Sequence, residues 1–182
     1  MSFESGSEKE SRKRSKRCCL IVCAIIFIVI ARDPKVSVSS DGLANFDIFS
    51  DAATTPLPMT ITITNPNYGT FYYQSAHGYL HYRGVQVADA PIEPGKVAAR
   101  KTVNVNAMAA VQTKKITTHE NFFDDVGERG LSFTATASLP GKVVVINIIK
   151  VKAKVDIFCD VFLNITSVPM ALASNCKTKI TV

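Results

Sequence analysis

The chain has 182 residues, of which 47% are hydrophobic and 20% are charged, and its formal net charge is +6. A domain of about 150 residues buries enough surface to fold without a metal or a dense disulfide network. The basic excess does not indicate nucleic-acid binding, because six of the 21 basic residues lie in the first 17 positions and leave the remainder only mildly basic.

The N-terminal segment is rich in Ser, Glu, Lys and Arg, and we expect residues 1–17 to form a disordered cytoplasmic tail. Residues 18–31 follow without a charge. As a helix this run would be about 21 Å long, shorter than the roughly 30 Å hydrocarbon core. It is interpreted as a bilayer anchor, as the apolar region of a signal peptide cleaved after Ala31, or as an internal helix. Because it is apolar on every face, we expect a hydrophobic anchor helix over residues 18–32.

The distribution of basic residues predicts the orientation. Six precede the apolar run and only Arg32 and Lys35 follow within 15 residues, so the positive-inside rule predicts that residues 33–182 are extracellular or lumenal. The predicted location is the plasma membrane or another secretory-pathway membrane. A nuclear signal is the alternative role of the basic cluster, and Cys18 and Cys19 are candidate palmitoylation sites.

From residue 35 onward the dominant hydrophobic period is two, which predicts strands. Residues 143–165 are apolar at nearly every odd position, and this length exceeds one ordinary strand, so we expect a break at 147–150. Thr117 and Glu120 have the spacing of a capping box, which predicts one short helix ending at Gly127 or Gly130. This pattern predicts an all-β domain, a two-sheet antiparallel sandwich of the immunoglobulin or fibronectin III type.

Two modifications are predicted in the C-terminal strands. Cys159 and Cys176 are the only cysteines after residue 31, and an even pair is consistent with one disulfide, with two reduced thiols as the alternative. Such a bond would close 16 intervening residues and stabilise by about 3 kcal/mol. Asn164 begins the only acceptor triplet for N-glycosylation, and its even position places it opposite the core face, with Phe158 and Phe162.

The sequence predicts no enzyme, no cofactor and no metal site. His77 and His81 would share a strand face about 13 Å apart, too far to hold one ion. Asp124, Asp125 and Glu128 lack the spacing of a calcium loop, and no nucleophile elbow, phosphate-binding loop or Cys/His cluster occurs.

Four short motifs occur in a characteristic order. A predicted strand ends at Asn65-Pro66-Asn67, then Tyr72-Tyr73 and Tyr82-Arg83-Gly84 follow, and Cys176-Lys177 lies near the end. With the basic tail and the Cys18-Cys19 pair, this order resembles the plant group 2 late embryogenesis abundant family, whose domain is also called the water-stress and hypersensitive-response domain. The resemblance is strongest to its membrane-anchored branch, the harpin-induced, non-race-specific disease resistance-like proteins.

The sequence also departs from that family. The apolar run is shorter than the usual anchor, and the Pro-x-Phe-x-Gln stretch of relatives appears as Pro91-Ile92-Glu93-Pro94. The C-terminus has no hydrophobic tail, so a glycolipid anchor is not expected.

The resemblance implies a non-enzymatic interaction module of stress or defence, held at the membrane through residues 18–32 and meeting an unidentified protein partner. The alternatives are a lipid or ligand carrier with an apolar groove, or a secreted desiccation-protective domain after signal cleavage. Because Pro66 removes a hydrogen-bond donor and fixes φ, the Asn65-Pro66-Asn67 motif is expected to be a structural turn.

Overall fold

The protein is described by a computed structural model that covers Val22 and residues 32–128, 130–145, 149–165 and 171–182. The chain divides into two compact units, Met1–Arg32 and Asp33–Val182. The predicted anchor and the palmitoylation sites Cys18 and Cys19 lie outside the described residues, apart from Val22 and Arg32. No helix among the described residues is long and apolar enough to cross a membrane.

The second unit consists almost entirely of β-strands. Ten strands occur in its described residues: β1 (Lys35–Ser39), β2 (Thr55–Thr64), β3 (Thr70–Tyr73), β4 (Ala76–Tyr82), β5 (Val85–Ile92), β6 (Gly95–Val97), β7 (Thr102–Val111), β8 (Gly130–Val145), β9 (Ile149–Asn164) and β10 (Ala171–Thr181). One 3-10 helix (Asp41–Asn45) and two short α-helices, α1 (Thr113–Thr117) and α2 (Phe122–Gly127), complete it.

All strand pairs are antiparallel and belong to one sheet. The order runs β1-β2-β7-β5-β4-β8, continues through β9 to β10, and adds β3 and β6 beside the second half of β8. Because β10 lies next to β1, the sheet nearly closes into a barrel. The all-β antiparallel prediction is confirmed. The immunoglobulin-type sandwich is not confirmed, because hydrogen bonds join all ten strands into one sheet.

The gap in the barrel is closed by side chains. The Ser174 hydroxyl accepts from the Val38 N–H at 3.3 Å and donates to the Val38 carbonyl at 2.9 Å. The Thr178 hydroxyl donates to the Pro34 carbonyl. Between the described residues of β1 and β10 there is no backbone-to-backbone hydrogen bond. We call this contact between β1 and β10 the seam.

Strict alternation on β9 fixes the core. From Ala153 to Leu163 every odd-numbered side chain is buried, and the even-numbered side chains between them are exposed or partly exposed. Burying a Val, Ile or Leu stabilises by about 1.5–3 kcal/mol, and a register shift of one residue would turn the whole set outward. The predicted period and the predicted break are both confirmed, because β8 ends at Val145, β9 begins at Ile149, and these two residues pair.

The predicted helix exists and ends at Gly127, but its predicted start is wrong. Two helices occur in the predicted region, and Thr117 ends the first instead of beginning the second. Its hydroxyl donates to the Thr113 carbonyl one turn earlier at 3.2 Å, and Asn121 precedes α2 without a side-chain cap. The Thr117–Glu120 capping box therefore does not form, because a threonine hydroxyl within a helix bonds back to the preceding turn.

The structure contains the Cys159–Cys176 disulfide. The two cysteines are directly opposed on β9 and β10, and Cys159 is buried in the barrel interior. The bond fixes the terminal strand β10 covalently to the strand that carries the core face.

We predict that Gly141→Ala destabilises the domain. A Cβ at Gly141 would clash with the Tyr72 carbonyl oxygen and would lie 2.9 Å from the Phe71 ring, and such overpacking costs about 1–3 kcal/mol. Urea unfolding measures the loss. Gly127→Ala is the control, because a Cβ there meets no atom within 4 Å. Equal stability of the two variants would show that the close approach of β3 to β8 does not require a glycine.

Candidate functional site

The Asn65-Pro66-Asn67 motif forms a buried turn after β2. The Asn65 amide donates to the carbonyls of Gly69 at 2.8 Å and Val97 at 3.2 Å, and its carbonyl oxygen accepts from the Asn67 N–H at 3.0 Å. Because Asn65 and Asn67 are both buried, these bonds satisfy polar groups that water does not reach. The geometry is that of a structural turn that ties the end of β2 to the end of β6.

Tyr82, Arg83 and Gly84 lie at the hairpin between β4 and β5. Arg83 and Gly84 have φ angles of 49° and 85°, as a two-residue hairpin turn of type I′ requires, and glycine adopts such an angle without strain. Tyr82 ends β4 and faces the interior, with no exposed surface.

The side chains of this hairpin meet Asp125 of α2. The Tyr82 hydroxyl donates to Asp125 Oδ2 at 2.6 Å, and Arg83 donates from Nε to Oδ2 at 3.2 Å and from Nη2 to Oδ1. Asp125 is only 7% exposed. We call these three residues the Asp125 clasp; it attaches α2 to the end of the β4–β5 hairpin.

The charges of the Asp125 clasp stabilise each other. Hydrogen bonds from Arg83 and then from Tyr82 lower the pKa of the Asp125 carboxyl. Burial, and next the hydrogen bond to Asp125, raise the pKa of Tyr82 to about 12. The carboxylate therefore stays ionised and the phenol stays protonated at neutral pH, so the cluster is fully hydrogen-bonded. The role of the clasp is to hold α2 against the β4–β5 hairpin. The sequence did not predict Asp125 as the partner of Tyr82 and Arg83.

Other predicted residues lie apart from this cluster. His77 contacts Asp89 at 3.0 Å on the outer face, and a register irregularity between Leu80 and His81 separates it from His81. Within the described ranges, no group of three or more His, Cys, Asp or Glu could hold a metal ion. Asn164 ends β9 opposite Gly130 and Ala171; its glycosylation stays a prediction, and Thr166 of its triplet lies outside the described residues.

The barrel encloses an apolar cavity of about 110 Å³. All eight strands of the barrel line it, and none of the lining residues that the structure describes exposes a polar atom to it. Its cause is a row of small residues on adjacent strands, in which Gly78 of β4 lies opposite Ala137 of β8 and Ala90 of β5. Ala88, Ala109 and Ala135 continue the small lining. Space remains because these side chains do not reach the centre.

The fold defines an all-β domain with an apolar interior. The polar motif residues Asn65, Tyr82 and Arg83 hold a turn and the helix α2 in place around this interior. The family model described as "Late embryogenesis abundant protein" matches residues 60–161, more than half of the chain. The chain belongs to this late embryogenesis abundant family. The matched segment includes the Asn65-Pro66-Asn67 turn, the Asp125 clasp and Cys159.

Solved structures with a similar arrangement include three that differ widely in sequence. A crystal structure of a protein from Archaeoglobus fulgidus is 12% identical, with 80% of this chain and 95% of that one covered and a TM-score of 0.37. A solution structure from Arabidopsis thaliana is 11% identical, with 81% and 76% covered and a TM-score of 0.36. A solution structure titled as a late embryogenesis abundant protein is 10% identical, with 100% and 93% covered and a TM-score of 0.37. Among curated proteins, nothing matches the chain.

We predict that Asp125→Asn destabilises the protein at neutral pH and reduces the loss of stability in acid. The folded state lowers the pKa of Asp125, so its contribution is complete above the unfolded value of about 3.9 and is lost as pH falls through the folded value. Losing the charge-assisted hydrogen bonds from Tyr82 and from the half-exposed Arg83 costs about 1.5–3 kcal/mol. Urea unfolding at a series of pH values measures both effects.

Asp124→Asn is the matched control, because Asp124 is the exposed neighbour of Asp125 on the same helix. We expect it to change stability by less than about 0.5 kcal/mol. An Asp125→Asn variant whose stability falls in acid as steeply as that of the wild type would contradict the role of the clasp.

Proposed function

We propose that this protein is a non-enzymatic, membrane-anchored stress or defence protein that acts outside the cytoplasm as an interaction module. The observation that carries the proposal is the family match over residues 60–161. Assignment to the harpin-induced, non-race-specific disease resistance-like branch rests on the basic tail, the Cys18-Cys19 pair and the apolar run that precede the domain.

Two features of the domain support a location outside the cytoplasm. Cys159 and Cys176 are joined by a disulfide, and disulfides persist mainly in oxidising compartments. Asn164 is the last residue of β9 and is partly exposed, on the face that also carries Phe158 and Phe162. An acceptor asparagine at the end of a strand and away from the core is accessible to the glycosylation machinery.

An interaction role is supported by where the aromatic side chains lie. Several large aromatic residues are well exposed: Phe49, Tyr68, Tyr72, Tyr79, Phe123, Phe158 and Phe162. Exposed aromatic residues are enriched where proteins bind partners. The motif residues Asn65, Asn67, Tyr73 and Tyr82, in contrast, are buried within the fold, so a partner would be met by the outer surface of the barrel.

The topology is tested with full-length protein expressed in plant cells and carrying a C-terminal tag. We expect it to stay in membranes during alkaline carbonate extraction, to lose apparent mass with an N-glycan-removing glycosidase, and to keep its tag under protease in sealed vesicles. Asn164→Gln should abolish the mass change, and Asn106→Gln, which lies outside any acceptor triplet, should not. Release by carbonate would contradict the anchor, and an unprotected tag would contradict the orientation.

Binding of a small apolar ligand is a second candidate function, and the interior cavity is the observation that favours it. Its volume of about 110 Å³ is close to that of an engineered cavity of about 150 Å³ that binds benzene, and far below the roughly 300–1,000 Å³ of ordinary ligand pockets. The cavity therefore fits one ring or a short alkyl segment. A complete lipid does not fit this volume.

We predict that benzene raises the melting temperature of the full chain and that Ala109→Val removes the effect. Ala109 lines the cavity, so the added methyl groups fill the space that the ligand would occupy, and a ligand stabilises only the state that binds it. Ala110→Val is the matched control, because Ala110 is the exposed next residue of β7. No rise in the wild type would exclude this candidate function.

A further inference from the structure

Five lysines surround Tyr72 on the outer face of the sheet: Lys96, Lys142, Lys150, Lys152 and Lys154. We call this set the lysine patch. Tyr72 of β3 lies opposite Lys96 of β6 and Lys142 of β8, and Lys142 lies opposite Lys152 of β9. Lys96, Tyr72, Lys142 and Lys152 therefore form one row across four strands. Lys150 and Lys154, on either side of Lys152 on β9, extend this row.

This arrangement is unfavourable for the domain alone. Adjacent strands are about 4.8 Å apart, and like charges directly opposite each other destabilise a sheet. Lys142 and Lys152 form such a pair. In the part of the chain that the structure describes, only Lys154 of the patch has an acidic partner within 4.0 Å, namely Asp156 at 3.0 Å. A local conflict of this kind marks positions where binding takes precedence over stability.

The lysine patch surrounds an open groove. Lys96, Lys142, Lys152 and Lys154 line it together with Tyr72, and its volume is about 940 Å³. Each lysine of the patch is exposed, and Tyr72 is 39% exposed. An open, positively charged surface with an amphipathic aromatic residue at its centre fits a planar anionic partner better than a small enclosed ligand.

The position of the patch on the domain identifies the partner. Asp33, the first residue of the domain, accepts a hydrogen bond from the Ile180 N–H at 2.8 Å. The next residue, Thr181, lies directly opposite Lys154 and lines the groove. The polypeptide therefore enters the domain at the end that carries the lysine patch.

We propose that the lysine patch binds the phosphate headgroups of anionic lipids in the extracellular or lumenal leaflet, which faces the domain, of the bilayer that holds residues 18–31. This inference rests on the proposed membrane anchor. Arg32 is the only residue between residues 18–31 and Asp33, and so short a tether gives a very high effective concentration of headgroups at the patch, within the roughly 8 Å range of unscreened charge. Docking at this surface holds the barrel against the membrane.

The test uses the full chain in lipid nanodiscs and measures acetylation of individual lysines by mass spectrometry. Discs of phosphatidylcholine alone are compared with discs that also contain phosphatidylglycerol. Each lysine near an anionic surface strengthens the association of a protein with that surface about fivefold. We therefore expect acetylation of Lys150 and Lys154 to be at least about fivefold slower on anionic discs than on neutral discs. High salt should remove this protection.

Two triple variants distinguish binding at the lysine patch from a general effect of the positive charge of the domain. The triple variant K96Q/K142Q/K152Q should lose the protection of Lys150 and Lys154. The triple variant K101Q/K114Q/K115Q removes the same charge from the residue before β7 and from α1, whose lysines do not line the groove, and should keep it. Far-UV circular dichroism and urea unfolding of both variants report whether the domain is folded.

Three outcomes overturn the proposal. Equal acetylation on neutral and anionic discs, with the chain inserted in both, overturns the patch and leaves the anchor intact. Failure of the chain to co-purify with neutral discs overturns the anchor and the proposal together. Protection by soluble heparin on neutral discs, without protection on anionic discs, identifies a soluble polyanion and excludes the bilayer.

Discussion

The pairing of β8 with β9 is the contact on which the rest of the domain depends. The two strands are 16 residues long each and stay in one register from Gly130 opposite Asn164 to Val145 opposite Ile149. Three strands pair with them directly, β4 and β3 with the other edge of β8 and β10 with the other edge of β9, and the remaining strands continue from β4, β3 and β10's neighbour across the seam. A shift of one residue would therefore reverse the inner and outer faces for three neighbouring strands at once.

One alternating pattern gives this hairpin two different surfaces. The odd positions of β9 supply Ile157, Cys159 and Val161 to the cavity, while the even positions supply Lys150, Lys152 and Lys154 to the outer face. The first set makes folding favourable through burial. The second set carries three positive charges, of which Asp156 pairs with that of Lys154 alone among the described residues. The cavity and the lysine patch thus lie on opposite faces of the same strands. Exchanging the apolar residues of one face for the lysines of the other would damage both.

Local features of the domain could be predicted from the sequence. The alternation on β9, the break before Ile149 and the turn at Asn65 depend on residues close together in the chain, so period and turn chemistry identify them. Closure of the barrel could not be predicted in this way, because β2 pairs with β7 about 40 or more residues later. Alternation indicates which side chains face inward, but it does not indicate which strands become neighbours.

The same difference between local and distant contacts explains why the partners of residues in the candidate sites could not be predicted from the sequence. Asp125 lies three residues after Phe122 on α2, so both share one helix face, and a carboxylate beside a buried phenylalanine requires a charged or hydrogen-bonding partner. That signal was present, although it did not identify Tyr82 and Arg83. The lysine patch left a weaker signal, since only the register brings Lys96, Lys142 and Lys152 into one row.

The seam between β1 and β10 gives the barrel a weak line along its wall. Separating any other pair of neighbouring strands breaks backbone hydrogen bonds. Separating β1 from β10 breaks hydrogen bonds made by the side chains of Asp33, Ser174 and Thr178. Each of these bonds contributes about 1 kcal/mol to the free energy of unfolding. Once separated, β1 and β10 become free edge strands, whose unpaired N–H and C=O groups are templates for another chain. The Ser174 hydroxyl, which bonds both backbone polar groups of Val38, therefore occupies edge groups that would otherwise be free to pair with another chain.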